Sequence, residues 1–220
     1  MKLIDLTHTL TQQMSVFPGA PQPRLEARCD PQSGSRETSL VLNSHHGTHV
    51  DAPYHLLPQG KSLDKLDINQ FFGLALMVEV SSCAGGEIPL ELLQAKEEEL
   101  KCCEFLVLKS GWDRKWGQPG YLQGFPVLSQ AAADYLAGFE FLQGVGLDMP
   151  SPDPTDSREC PVHRTLLAGG KLIIENLCNL DSIQGQNFLL SCLPLKYGQA
   201  DGSPVRAAAF QAPAGIYYPS

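Results

Sequence analysis

The chain has 220 residues and a formal net charge of −8, because 24 acidic side chains outnumber 16 basic ones. Apolar residues make up 43% of the chain, which is enough to bury a core, and we expect residues 1–220 to form a single domain. The charge argues against a nucleic-acid partner, since phosphate binding requires clustered lysine and arginine. Seven cysteines without a C-x-x-C spacing indicate neither a disulfide framework nor a thiolate zinc ribbon.

The N-terminal residues do not resemble a secretory signal. Asp5 and His8 fall where such a signal needs an unbroken apolar stretch, and no later apolar run approaches the length of a membrane span. We therefore expect a cytoplasmic protein with no membrane partner.

Short apolar or alternating runs alternate along the chain with stretches of helical composition. In chain order the predicted elements are strands at Leu3–Leu6 and Thr38–Leu42, a weak helix at Lys61–Phe71, a strand at Leu74–Val80, a helix at Leu90–Leu100, a strand at Phe105–Leu108, a helix at Ser129–Leu136, and strands at Gly144–Leu147, Lys171–Ile174, Phe188–Leu193 and Val205–Phe210. Ser129 is the expected N-cap of its helix. This pattern predicts an α/β or α+β domain, with long, turn-rich loops at Trp116–Pro126 and Pro150–Pro161.

Four of the six histidines lie between Asn43 and His55. A helix cannot bring them together with Asp51, because Asp51 would point about 200° away from His49 at roughly 100° per residue. In an extended chain His45, His49, Asp51 and His55 share one side, since even numbers of residues separate them, whereas His46 faces away. Imidazoles and a carboxylate converging on one point suit zinc, manganese or iron. The alternatives are surface histidines with separate hydrogen bonds, or a purely structural zinc.

The same segment carries a family resemblance. Residues 45–55 read H-H-G-T-H-V-D-A-P-Y-H, and they match the hallmark H-x-[GT]-[GT]-H-x-D-x-P-x-H. The chain resembles the cyclase-like metal-dependent hydrolases, a family that contains bacterial kynurenine formamidases and isatin hydrolases. The resemblance extends to segments at residues 5–8, 17–19, 109–112, 146–151, 163–164, 175–177 and 201–206.

The resemblance implies a set of site residues. His45, His49 and Asp51 would surround one metal, and His163 with Glu175, twelve positions later, would hold a second. His55 occupies the family position of the general acid/base. The implied cofactor is a divalent metal, two zinc ions per chain, with manganese or iron as alternatives. The implied fold is α/β of the swivelling β/β/α type, a single domain with a β-barrel-like core flanked by helices, assembled as a homodimer or homotetramer.

One segment departs from the family pattern. Kynurenine formamidases typically carry Trp-x-Gly-Asp where this chain has Phe17-Pro18-Gly19-Ala20. Phe17 is a substrate-binding candidate that could stack on a flat ring, or it is a buried core aromatic.

The expected activity is hydrolysis of the C–N bond of a formamide or cyclic amide by metal-activated water, in the manner of an arylformamidase. An isatin-hydrolase-like enzyme that opens a cyclic amide or lactone is one alternative, and a catalytically silent member that binds a small ligand is another. The expected partner is a small, aromatic substrate. Three further residues have expected roles. Asp148 and Ser151 line the pocket, support the metal ligands from behind, or form a turn. Arg206 holds a substrate carboxylate or, as we favour, pairs with a structural acid such as Asp201.

Overall fold

The computed structural model describes residues 2–211. Its strands are β1 (Lys2–Asp5), β2 (Arg24–Cys29), β3 (Arg36–Val41), β4 (His49–Asp51), β5 (Phe72–Glu79), β6 (Glu87–Ile88), β7 (Phe105–Lys109), β8 (Val127–Leu128), β9 (Gly144–Leu147), β10 (Leu172–Glu175), β11 (Asn187–Ser191), β12 (Gly202–Pro204) and β13 (Ala208–Gln211). Its α-helices are α1 (Leu90–Gln94), α2 (Glu97–Leu100), α3 (Gln130–Ala137) and α4 (Pro161–Ala168). No helix in this part of the chain is long and apolar enough to cross a membrane.

Nine of these strands form one mixed sheet in the order β1-β13-β11-β5-β7-β9-β10-β4-β12. The pairs among β5, β7, β9 and β10 are parallel, and the remaining pairs are antiparallel. The sheet curls into a half-barrel with few helices, which confirms the expected α/β fold with a barrel-like core. Strands β2 and β3 form a separate hairpin whose residues are almost all exposed.

Successive side chains along the central strands point to opposite faces of the sheet, and both faces are packed against a core. In β7, Leu106 and Leu108 belong to the core that also contains side chains of α1, α3 and α4. Phe105 and Val107 face the other core, which the outer strands close. Burial on both faces explains why the central strands read as continuous apolar runs in the sequence.

Two helix predictions need correction. Lys61–Phe71 is not a helix but two 3₁₀ turns, Leu63–Lys65 and Ile68–Phe71, because Leu66 and Asp67 are extended between them. The predicted helix Leu90–Leu100 is split into α1 and α2 at Lys96, whose backbone leaves the helical region.

The sequence did not predict α4. The sequence pattern places Pro161 at the end of a turn-rich loop, but this proline is the first residue of α4, a position at which proline is favourable. The Ser129 N-cap is confirmed, since its Oγ accepts a hydrogen bond from Ala132 N–H at the start of α3.

Candidate metal centre

Strand β4 lies between β10 and β12 near one edge of the sheet and carries two of the candidate ligands. His49 and Asp51 are two residues apart on this strand, so their side chains project from the same face. Glu175, the last residue of β10, pairs directly with His49 across the ladder. Side chains of directly paired residues lie on the same face, so the register brings these three residues together.

The other histidines of the motif reach the site by a different route from the one predicted. The segment is extended only at β4, because His45 lies in a turn before the strand and His55 ends a 3₁₀ turn, Pro53–His55, after it. The expectation that one extended chain aligns all four residues is therefore wrong in its local geometry. Gly47, with φ of +69°, lets the turn reverse so that His45 folds back towards Asp51.

Gly202 on β12 makes room for the His45 ring. It pairs with Asp51, and a Cβ added at Gly202 would lie 2.6 Å from His45 Cε1. The absent side chain allows the imidazole to lie against the backbone of β12.

The five candidate ligands form two groups that share Asp51. Asp51 Oδ1 lies 2.7 Å from His45 Nδ1 and 3.3 Å from His49 Nε2. Asp51 Oδ2 lies 3.8 Å from His163 Nε2, and Glu175 Oε1 lies 3.2 Å from the same nitrogen. Glu175 Oε2 also faces His49 Nε2 at 3.3 Å. Each carboxylate thus contacts both groups, the arrangement that two neighbouring cations need.

Each of the three histidines has an inner ring nitrogen, which faces the other candidate ligands, and an outer ring nitrogen, which contacts an oxygen outside that set. His45 Nε2 donates to Asp201 Oδ2 at 3.0 Å, His49 Nδ1 donates to the Gly47 carbonyl at 2.9 Å, and His163 Nδ1 donates to Asp153 Oδ2 at 2.6 Å. A proton held on the outer nitrogen leaves the inner nitrogen as the lone-pair donor, which is the state that binds a metal.

Asp153 also supports the helix that carries His163. Its Oδ1 accepts a hydrogen bond from Val162 N–H at 3.0 Å, and its Oδ2 accepts one from His163 N–H at 2.9 Å. Cys160, the residue at the N-cap position of α4, makes no side-chain cap. A loop carboxylate therefore satisfies the first turn of α4 and orients the imidazole at the same time.

The carboxylates of the cluster favour positive charge on the rings between them. Burial lowers the pKa of His45, but the Asp51 and Asp201 carboxylates outweigh it and raise the pKa to about 9. Burial likewise opposes protonation of His163, and Asp153 with Glu175 raises its pKa to about 10. These carboxylates favour a cation among the rings, and with imidazole and carboxylate oxygen as donors, the set suits a divalent metal ion.

His55 lies beside this cluster without completing either group. Its ring centroid is 4.1 Å from that of His45 and 6.2 Å from that of His163, and its Nδ1 lies 3.8 Å from Asp201 Oδ2. Burial lowers the pKa of His55, since nearby carboxylates only partly offset the loss of water. A partly exposed imidazole at this distance can exchange protons with a molecule at the cluster.

A cavity of about 290 Å³ opens onto the cluster. Phe17 lines it and is 46% exposed, so the alternative of a buried core aromatic is wrong.

His46 lies outside both ligand groups: its Nδ1 accepts from Asn43 N–H and its Nε2 donates to the Pro21 carbonyl. Among described residues the lining comprises Ser15, Val16, Phe17, Ala20, Asn43, His45, His46, Gly47, His49, Asp51, His55, Tyr121, Leu122, Pro150, Ser151, Pro154, Cys160, His163, Glu175 and Asn176.

Three smaller expectations have clear outcomes. Arg206 does not pair with Asp201 but donates to both carboxylate oxygens of Asp5. Asp148 is buried and accepts hydrogen bonds from Ser110 and Gly111, so it holds a turn and does not line the cavity. Ser151 does line the cavity.

The sequence does not single out Asp153. It places Asp201 in a familial segment but does not indicate its contact with His45. Asp153 lies in a loop with other acids, such as Asp156 and Glu159, and nothing in the sequence distinguishes it from them. Asp201 is 156 residues from His45, so only the pairing of β12 with β4 brings them together.

The fold and the cluster define a metal-site α/β protein, and comparison with known proteins identifies its family. The chain belongs to the Cyclase family, whose model matches residues 4–154. That match includes His45 to His55 and Asp153 but ends before His163 and Glu175.

Similar proteins cover nearly the whole chain. A kynurenine formamidase from Bacillus cytotoxicus is 34% identical over 209 residues, which is 93% of this chain and 95% of that protein. A kynurenine formamidase from Geobacillus thermodenitrificans is 31% identical over 207 residues, with coverage of 93% and 95%. A crystal structure of an isatin hydrolase bound to the product analogue thioisatinate superimposes with a TM-score of 0.85 at 22% identity, covering 94% of this chain and 91% of that one.

Proposed function

We propose that the chain is a metal-dependent amidohydrolase that cleaves the C–N bond of an aryl formamide. The observation that carries this proposal is the convergence of five nitrogen- and oxygen-donor side chains in a cavity whose other lining is largely apolar. Similarity to kynurenine formamidases over more than nine-tenths of the chain supports the formamide bond as the target. Residues 1–220 would act as one catalytic domain.

His45, His49 and Asp51 would hold one metal, and Asp51, His163 and Glu175 a second, so Asp51 is the shared carboxylate. Two zinc ions are proposed, with manganese or iron as alternatives, because these three metals accept imidazole and carboxylate ligands. When bound, such ions lower the pKa of water and polarise a carbonyl oxygen. Asp153, Asp201 and the Gly47 carbonyl would hold a ring proton on the outer nitrogens, so that the inner nitrogens are the ones that a metal takes.

His55 is the proposed acid/base residue. Its ring can take a proton from the attacking water and deliver it to the amine nitrogen as the C–N bond breaks. Phe17, an exposed aromatic residue of the cavity lining, would stack on the aryl ring and hold the formamide against the cluster.

A substrate panel tests the proposal. We expect the zinc- or manganese-loaded protein to hydrolyse formanilide and N-formylkynurenine and to contain two metal ions per chain by elemental analysis. Opening of isatin without cleavage of either formamide would instead assign a cyclic-amide hydrolase. A metal-replete protein inactive on formamides, lactams, lactones and imides would indicate a silent, ligand-binding member.

We also propose that the protein is a homodimer or homotetramer. The β2–β3 hairpin lies outside the main sheet and exposes Leu40 and Val41, and a two-stranded hairpin is only marginally stable when uncovered. Light scattering coupled to size exclusion measures the mass directly, and a monomer at micromolar concentration would contradict assembly.

A further inference from the structure

The two acidic side chains that line the cavity both belong to the candidate metal cluster. The ionisable lining residues comprise the cluster carboxylates Asp51 and Glu175, the histidines, Tyr121 and Cys160. Within residues 2–211, no lysine or arginine lines the cavity. The remainder of its wall therefore offers no permanent positive charge to a bound molecule.

Several polar groups of the wall are already hydrogen-bonded within the protein. Tyr121 Oη donates to Asn176 Oδ1 at 2.6 Å, and Asn176 Nδ2 donates to the Gly47 carbonyl at 3.0 Å. Both ring nitrogens of His46 have backbone partners. These groups are therefore already partly engaged within the protein before a ligand binds.

The remaining wall is apolar or uncharged. Its apolar members are Val16, Phe17, Ala20, Leu122, Pro150 and Pro154. Ser15, Asn43 and Ser151 add uncharged polar atoms, of which Ser15 Oγ already accepts from Gly117 N–H and Ser151 Oγ from Asp153 N–H. This composition suits a flat apolar body rather than an ionic one.

The adjoining surface does not supply the missing charge. A second depression shares Ser15, Val16, Tyr121 and Leu122 with the cavity and is lined otherwise by amides, glycines, prolines, Met14 and Thr155. It too has no lysine or arginine among the described residues. A substrate that extended into it would still meet no side-chain cation.

We infer that the substrate beyond its reacting formamide is an uncharged, compact aryl group, and that the site disfavours a charged amino-acid head. The inference rests on the proposed function only for the identity of the bond cleaved. A zwitterionic head that enters the cavity loses its hydration and gains no charged partner from the wall outside the metal cluster, so binding is weakened. The volume of about 290 Å³ lies at the lower limit of small-molecule sites, which fits a one-ring substrate.

Two substrates that differ only in the head provide the test. N-formylkynurenine and N-(2-acetylphenyl)formamide carry the same formanilide and the same ortho ketone, but only the first has the amino-acid group. For the metal-loaded protein we expect kcat/KM for the neutral compound to exceed that for N-formylkynurenine by about tenfold or more. Equal or better turnover of N-formylkynurenine would overturn the inference while leaving the proposed hydrolase intact.

A binding measurement separates this inference from the proposed function. Calorimetric titration with the amine products, 2-aminoacetophenone and kynurenine, does not depend on turnover. Tighter binding of 2-aminoacetophenone supports the inference even if neither formamide is cleaved, in which case the proposed function alone fails. Tighter binding of kynurenine overturns the inference.

A charge introduced into the wall gives a matched comparison. Ala20 lines the cavity, is partly exposed and lies outside the proposed catalytic residues. We expect Ala20→Arg to shift the kcat/KM ratio towards N-formylkynurenine by about fivefold, whereas Ala20→Gln, an enlarged polar side chain without charge, leaves the ratio near the wild-type value. A shift of the same size in both variants would show that size rather than charge sets the preference, and would overturn the inference.

Discussion

Replacement of Asp153 by alanine should weaken both the fold and the metal site, because this carboxylate serves two partners. It satisfies the first turn of α4 through Val162 N–H and His163 N–H, and it accepts from His163 Nδ1. Asp153 is 1% exposed, so water cannot take its place in the folded protein without rearrangement.

The size of the effect follows from the separate contacts. Loss of a helix cap costs about 1 kcal/mol, and loss of a hydrogen bond to a charged group costs about 1.5–3 kcal/mol. We expect the free energy of unfolding of the metal-free Asp153→Ala protein to fall by about 2–4 kcal/mol. Loss of a carboxylate behind a metal-binding histidine weakens metal affinity roughly 10–100-fold, or about 1.4–2.7 kcal/mol.

Two controls separate these effects. Ser129→Ala removes the cap of α3 without touching a candidate ligand, so it should cost about 1 kcal/mol and leave metal affinity unchanged. Asp156→Ala removes an exposed acid from the same loop as Asp153 and should change stability by less than about 0.5 kcal/mol. Urea unfolding in chelator measures stability, and competition with a chromogenic chelator measures metal affinity. Wild-type metal affinity in Asp153→Ala would refute the orienting role, whatever happens to stability.

Three further outcomes are expected. Gly202→Ala should displace the His45 ring and lower metal affinity about tenfold or more in chelator competition, whereas Gly198→Ala should be neutral because its added Cβ meets no atom of residues 2–211 within 4 Å; equal affinities would contradict the packing argument. His55→Gln should lower kcat about 100-fold or more with unchanged metal content by elemental analysis, and reduced metal content would make His55 a ligand instead. Metal removal should abolish formamide cleavage and lower the thermal midpoint in calorimetry, with both restored on reloading; at a metal concentration of 100 times Kd the stabilisation is about 2.7 kcal/mol.

The central strands and the candidate ligands His45, His49 and Asp51 were predictable because their signals are local. Phe105–Lys109 and Gly144–Leu147 are unbroken apolar runs, and the motif from His45 to His55 is dense enough to be recognised in the sequence alone. The pairing of His163 with Glu175 came from family resemblance, because α4 and β10 place them together through tertiary packing.

The features that the sequence did not predict depend on which residues pair between neighbouring strands. Two-residue strands such as β6, and three-residue strands such as β12, are too short for an alternating pattern to emerge. The geometry of His45 was mispredicted for a related reason: parity holds within a strand, and the turn at Gly47 lies outside it. Asp201 reaches His45 only because Gly202 pairs with Asp51.

The position of β4 between β10 and β12 has a consequence for how the protein assembles. The two donor groups join residues 45–51 to residues 163–175, and the supporting Asp201 comes from a third, later region of the chain. A cation that needs all of these segments finds no binding site until the sheet is nearly complete. Metal should therefore retard unfolding of the finished protein far more than it accelerates its folding.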